Sequence, residues 1–133
     1  MALCRVKDCM TRELVTARPD MDAHQAKELL LEHQISGMPV VDEAGKLVGV
    51  LSERDLLQTL VDAEYHELPT AFVKDLMSTQ PETVGPDMPI LEVAELFVHK
   101  RFRRLPVVED DRLVGQISRR DVLGVIDKMD SCE

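Results

Sequence analysis

Two short stretches of this chain carry the residue types of an anion and sugar site. Gly49-Val50-Leu51-Ser52-Glu53-Arg54-Asp55 and Gly115-Gln116-Ile117-Ser118-Arg119-Arg120-Asp121 share the pattern Gly-x-x-Ser-x-Arg-Asp. Each sits where an apolar run gives way to a helical pattern. A helix start presents unpaired backbone N–H groups and a partial positive charge, which favours a phosphate. The hydroxyls of Ser52 and Ser118 can donate to a phosphate oxygen. Asp55 and Asp121 are acceptors able to hold the two hydroxyls of a ribose. Arg54 and Arg120 add a cation to each stretch, and Gly49 and Gly115 would admit a ligand close to the backbone. A purely local reading stands beside this one. Ser-x-x-Asp is also a capping box, in which the hydroxyl accepts from a backbone N–H and the acid reaches back to another.

The basic residues are unevenly placed. The chain carries 16 Lys and Arg against 25 Asp and Glu, a formal net charge of −9. Lys100, Arg101, Arg103, Arg104, Arg112, Arg119 and Arg120 nevertheless crowd one short stretch. Arg103 and Arg104 precede Leu105-Pro106, whereas Ser36 and Gly37 precede Met38-Pro39. Arg103 and Arg104 are therefore candidates to clamp a phosphate, with Arg120 beside them, and any two sites should be unequal. The alternative is surface arginines paired with Glu109, Asp110 and Asp111. An acidic chain of this size is a poor general nucleic-acid binder, because phosphate contacts need clustered cations over a broad face.

Other chemistry finds little support. His24, His33, His66 and His99 are not spaced as metal ligands and read as exposed side chains. Cys4 and Cys9 do not match a zinc-binding spacing. No Walker-type phosphate loop and no nucleophile elbow occurs. The expectation is no catalysis, no metal and no required cofactor. Three cysteines near the chain ends argue for a reducing, cytoplasmic setting over a disulfide scaffold. No apolar run approaches a bilayer span, and the first residues lack a secretory apolar core.

The elements that must position these residues come twice. Val6-Lys7-Asp8-Cys9-Met10 recurs as Val73-Lys74-Asp75-Leu76-Met77, Thr16 as Thr83, and Pro19-Asp20-Met21 as Pro86-Asp87-Met88. Pro39-Val40-Val41 recurs as Pro106-Val107-Val108. After a one-residue deletion in a turn, Leu47-Val48-Gly49 recurs as Leu113-Val114-Gly115. Each copy reads as β-α-β-β-α. In the first copy a strand over 14–17 precedes a helix over 22–33. A hairpin of strands 38–41 and 47–51 turns at Asp42-Glu43-Ala44-Gly45, and a helix starts at Glu53. The second copy repeats this with strands over 82–84, 105–108 and 113–117. The strands are apolar on both faces, as in sheets covered on both sides. The fold class is therefore α/β (α+β), two β-α-β-β-α repeats over 6–62 and 73–129 joined by a linker over 63–72. Neither repeat should be stable alone.

This combination of Thr…Pro-Asp, Pro-Val-Val and Leu-Val-Gly-x-(Leu/Ile)-Ser-x-Arg-Asp resembles the CBS (cystathionine-β-synthase-type) domain family. The resemblance runs from Val6 to about Met129 in two copies. It implies a Bateman module: two repeats packed through their sheets with pseudo-two-fold symmetry and clefts between them. It implies an adenosine-containing regulatory ligand there: AMP, ADP, ATP or S-adenosylmethionine. By the family pattern Ser52 and Ser118 would contact phosphate and Asp55 and Asp121 ribose. Thr16-Ala17, Thr83-Val84, Met38-Pro39 and Leu105-Pro106 would line the base end. The regulatory subunit of AMP-activated kinase is similar in placing a basic pair before such a Leu-Pro. The implied role is a stand-alone energy-sensing module, commonly a disc-like homodimer, acting on an effector protein in trans. A ligand-free dimerising scaffold is the alternative.

Overall fold

The structure, a computed structural model, describes residues 4–63 and 70–127. It forms two compact units. Unit 1 comprises Met1–Leu14 and Glu82–Glu133, and unit 2 comprises Val15–Pro81. The elements in chain order are α1 (Val6–Cys9), α2 (Ala23–Glu32), β1 (Gly37–Val41), β2 (Leu47–Ser52), α3 (Glu53–Ala63), α4 (Val73–Leu76), α5 (Ile90–His99), β3 (Arg104–Glu109), β4 (Arg112–Ser118) and α6 (Arg119–Ile126). Much of the expected linker, together with His66 and Met129, lies outside the described residues.

Each unit is built on an antiparallel hairpin. In unit 2, β1 pairs with β2 from Gly37↔Ser52 to Val41↔Leu47; in unit 1, β3 pairs with β4 from Arg104↔Ser118 to Glu109↔Arg112. The deleted residue lies in the second turn. There Asp110 and Asp111 both have positive φ, 53° and 68°. Two successive residues with positive φ are what a two-residue hairpin turn requires. The first turn is longer and places Gly45 at φ 82°.

A two-stranded hairpin is marginal in water, and each is completed on both sides. The expected strand over 14–17 is reduced to a single parallel bridge, Ala17 to Val40, and that over 82–84 to Val84 with Val107. The reason is a proline. The Ala17 N–H donates to the Pro39 carbonyl at 2.9 Å, so the Pro39 nitrogen faces the same side and has no proton to offer the preceding residues. Pro106 does the same to Val84 at 3.0 Å.

The other side is closed by an arm that belongs, in sequence, to the other repeat. In unit 1, Thr11 and Gln116 exchange backbone hydrogen bonds of 2.8 and 2.9 Å. In unit 2, Val50 and Ser78 do so at 3.0 and 2.9 Å. Before each bridge stands a single-turn helix, α1 or α4, whose valine (Val6 or Val73) is fully buried. Asp8 and Asp75 cap these turns by accepting from the N–H of Arg5 (2.8 Å) and Phe72 (3.2 Å). Lys7 pairs with Asp87 at 3.0 Å. The repeated Val-Lys-Asp-x-Met motif was visible in the sequence, but one turn is too short to show helical periodicity.

Each unit has its own core. Val84, Ile90, Val93, Leu105, Val107, Ile117 and Val122 form that of unit 1, joined by Cys4 and Val6 of the arm. Ala17, Ala26, Leu30, Met38, Val40, Leu51 and Leu56 form that of unit 2, joined by Val73. Asp22 caps α2, accepting from the His24 N–H at 2.7 Å. Some apolar helix positions face outward instead: Leu57 on α3 is 60% exposed.

The glycines of the repeated motif serve the arms. A Cβ added at Gly49 would stand 2.7 Å from both the Met77 sulfur and the Ser78 carbonyl oxygen. One added at Gly115 would stand 2.6 Å from the Met10 sulfur and 3.0 Å from the Thr11 carbonyl oxygen. The space expected to admit a ligand is occupied by protein. Gly115→Ala should therefore lower stability by about 1 to 3 kcal/mol, read as a fall of several degrees in Tm. Gly124→Ala, where an added Cβ meets nothing within 4 Å on α6, should raise stability by about 0.5 to 1 kcal/mol. Equal melting temperatures for the two variants would refute this account of the arm contact.

Candidate functional site

The candidate residues of each repeat converge within one unit. In unit 2 three segments meet at one end of the hairpin: 16–17, 36–39 and 52–55. The Ala17 N–H donates to the Pro39 carbonyl and its own carbonyl accepts from Val41 at 2.9 Å. The Ser36 carbonyl accepts from the N–H of Glu53, the first residue of α3, at 2.9 Å. Gly37 stands opposite Ser52 in the ladder. Ala17, Met38 and Pro39 are buried, Thr16, Ser52 and Asp55 half-buried, and Arg54 exposed.

Unit 1 repeats the arrangement. Val84 binds Pro106 and Val108 through its backbone, and Arg104 stands opposite Ser118. The Arg103 carbonyl accepts from the Arg119 N–H at 3.2 Å. Val84, Leu105 and Pro106 are buried; Arg104, Ser118 and Asp121 are half-buried; Thr83, Arg103 and Arg120 are exposed. The backbone contact brings Arg103-Arg104 and Arg119-Arg120 side by side. The matching positions of unit 2 hold Ser36, Gly37, Glu53 and Arg54. The difference in charge noted in the sequence is thus a difference between two otherwise equivalent places.

Both Ser-x-x-Asp pairs form the capping box. In α6, the Asp121 N–H donates to Ser118 Oγ at 3.1 Å, and the Ser118 N–H donates to Asp121 Oδ2 at 2.9 Å. In α3, the Asp55 N–H donates to Ser52 Oγ at 3.1 Å. Asp55 Oδ2 accepts from the Ser52 N–H at 2.8 Å and from its hydroxyl at 3.0 Å. The local reading therefore holds, and it orients the site residues. One carboxylate oxygen of each aspartate is tied to the cap, which fixes the rotamer of the side chain.

Sequence reasoning missed one neighbour of this site. Cys9, on the arm of unit 1, is a free, half-buried thiol. Its pKa is pushed up from 9.0 to about 11, first by burial and then by the negative charges of Asp121 and Asp8. The arm therefore reaches the start of α6. Cys4 corrects the expectation of a fully reduced chain: it is buried and disulfide-bonded. Cys132 lies outside the described residues. Among the described residues, no His, Cys, Asp and Glu group is placed to hold a metal ion. Among them, too, no helix is long and apolar enough to cross a membrane.

Two hairpin units, each presenting a capped helix start beside a Thr-Ala or Thr-Val bridge, define a tandem-repeat α/β module. The family described as CBS domain matches residues 6–62 and again 73–128, and the chain belongs to that family. Among solved structures, it is similar to the CBS-pair protein CBSX2 from Arabidopsis thaliana, crystallised in complex with AMP. That match has 34% identity and a TM-score of 0.79, covering 94% of this chain and 97% of that one. It is also similar to the CBS domain pair of protein MJ0100 in complex with 5′-methylthioadenosine and S-adenosyl-L-methionine. There the identity is 26% and the TM-score 0.79, covering 96% and 98% of the two chains. Among curated relatives, inosine-5′-monophosphate dehydrogenase of Korarchaeum cryptofilum is 33% identical over 91% of this chain. The chain spans about a quarter, 24%, of that enzyme's length.

Two outcomes test the site's chemistry without a ligand. Removing either cap hydroxyl, by Ser52→Ala or Ser118→Ala, should cost about 1 kcal/mol in unfolding free energy. At pH 9, Cys9 should alkylate roughly 50-fold more slowly than in the denatured chain, because the reactive thiolate is scarce. Asp121→Asn should speed the reaction by withdrawing one of the charges that hold the proton on. A thiol that reacts as fast in the native chain as in the denatured one would contradict the placement of Cys9.

Proposed function

We propose that this chain is a regulatory module that binds an adenosine-containing ligand, AMP, ADP, ATP or S-adenosylmethionine, and is not itself an enzyme. One observation carries the reading. In both units, three segments distant in sequence converge so that a backbone-bonded Thr-Ala or Thr-Val dipeptide, a Met-Pro or Leu-Pro strand start and a Ser/Asp helix cap lie together. The crystallisation of similar proteins with AMP, or with S-adenosyl-L-methionine and 5′-methylthioadenosine, supports it.

In this reading Asp55 and Asp121 hold ribose hydroxyls with the carboxylate edge that the cap leaves over. Ser52 and Ser118, with the N–H groups of the first helical turn, face phosphate. Arg103 and Arg104 clamp that phosphate, with Arg54 and Arg120 as further cations. Thr16-Ala17, Thr83-Val84, Met38-Pro39 and Leu105-Pro106 line the base end, where backbone groups can read an adenine. The ligand acts by its differential affinity for alternative states of the module. The output passes to a partner protein or to the assembly of the module itself.

The reading includes a homodimer. The two units expose the same apolar pair: Leu31 (69%) and Leu57 (60%) in unit 2, Val98 (79%) and Leu123 (70%) in unit 1. Between α2 and α3 these side chains help to line a groove of about 630 Å³. Repeated exposure at matching positions is the mark of a surface meant to be covered.

A thermal-shift series with AMP, ADP, ATP and S-adenosylmethionine tests the ligand. At 100 times its Kd the right one adds about 2.7 kcal/mol of stability, a rise of several degrees. Calorimetry should show the affinity reduced in Asp55→Ala or Asp121→Ala. If no ligand moves Tm, the chain is a dimerising scaffold. Undiminished affinity in both variants removes the ribose role.

A further inference from the structure

We propose that the disulfide at Cys4 is a redox-sensitive strap that ties the arm of unit 1 to the last residues of the chain, with Cys132 as its other half. Cys4 is disulfide-bonded, and Cys9 is a free thiol. The chain has three cysteines, so within one copy Cys132 is what remains to pair with Cys4. Cys132 itself lies outside the described residues. The two ends belong to one compact unit, since unit 1 comprises Met1–Leu14 and Glu82–Glu133.

Comparison of the two arms shows why unit 1 has use for a strap. Both arms dock in the same way. The Ile90 N–H donates to the Cys4 carbonyl at 3.0 Å, and in unit 2 the Ala23 N–H donates to the Ala71 carbonyl at 2.8 Å. Unit 2 thus has alanine where unit 1 has the bonded cysteine. The arm of unit 2 is part of a continuous segment, whereas the arm of unit 1 connects to the rest of its unit only through the whole of unit 2. Its remaining ties are noncovalent: Val6 and Lys7 donate to the carbonyls of Met88 and Pro86 at 3.0 and 2.9 Å, and Cys4 and Val6 are fully buried. The Lys7–Asp87 pair is exposed and adds little. End segments open more readily than whole units. A covalent tie across so long a loop restricts the opened state and favours the docked one.

The chemistry balances with a small-molecule disulfide such as oxidised glutathione. One cysteine thiolate attacks it, forming a mixed disulfide and releasing a glutathione thiolate. The second cysteine thiolate attacks the protein sulfur of that bond and releases the other. The two cysteines are oxidised, and the two glutathione thiols formed take up the two protons. Cys9 competes poorly, because its raised pKa keeps the thiolate scarce. Reduction runs the exchange backwards, and since Cys4 is fully buried it must wait for the arm to open. The arm carries Asp8 and Cys9 to the neighbourhood of Asp121, so its release also alters the charge around the start of α6.

Trypsin cuts after Arg5 and Lys128, so the denatured, thiol-blocked but unreduced chain should yield Met1–Arg5 joined to Met129–Glu133. Reduction should lower Tm by several degrees, and oxidised glutathione should restore it. Cys132→Ser should melt where the reduced chain melts and ignore reductant, whereas Cys9→Ser should keep the full dependence. Cys9 should alkylate about tenfold faster in Cys132→Ser than in the oxidised chain, because the arm opens more often; the peptide Asp8–Arg12 reports it. Cys4 joined to Cys9 or to a second chain overturns the pairing. A Tm and a Cys9 rate both indifferent to reduction overturn the hold on the arm. A bond left intact by excess reduced glutathione overturns the switch. If Cys132→Ser does not fold, the original chain with and without reductant gives the same readings.

Discussion

The contact on which each unit depends is the passage of an arm across a glycine. Met10 lies over Gly115 and Met77 over Gly49, at distances that leave no room for even a methyl group. The hairpin beneath supplies only two strands. Its outer edge would otherwise carry unpaired N–H and C=O groups, and the arm satisfies them by the paired bonds at Gln116 and Val50. The same passage brings a buried valine into each core and carries Asp8 and Cys9 toward the start of α6. The arm therefore closes the sheet, fills the core and helps to set the electrostatic surroundings of Asp121.

The site follows from the same economy of parts. A strand ending at Ser and a helix starting one residue later need no loop, so side chain and backbone of Ser52 and Ser118 share one tight turn. The capping box fixes the aspartates, and the proline at position 39 or 106 turns its carbonyl toward the Thr-Ala or Thr-Val dipeptide. Structural and binding roles are not alternatives here. The cap uses one carboxylate oxygen and the backbone N–H of the aspartate, and it holds the rest of the group in a defined direction. Preorganisation of this kind reduces what a ligand must spend to order its contacts.

Much of this was legible in the sequence, because a repeat is read twice. The hairpins and the helix expected over 22–33 lie within one or two residues of their expected bounds, α3 starts at the expected Glu53, and both Ser/Asp caps form. What escaped detection depends on tertiary context. The single-turn helices α1 and α4 have no period of their own. The strands expected at 14–17 and 82–84 have strand-like composition, yet Pro39 and Pro106 withhold the donor that would extend them. Gly49 and Gly115 looked like ligand contacts, because the sequence could not say that a methionine from the other repeat would lie there. The placement of Cys9 near Asp121 likewise joins residues far apart along the chain.

The exchange of arms has a consequence for the order in which the protein is made. Unit 2 is continuous, Val15–Pro81, so all its parts are synthesised before Glu82. Unit 1 is not. Its first segment ends at Leu14 and its next begins at Glu82. The arm must wait for a segment made about a hundred residues later, since Thr11 is bonded to Gln116. During that interval Val6 and Cys4 have no core to enter. Folding can thus begin with unit 2, whose parts are all made before the second segment of unit 1.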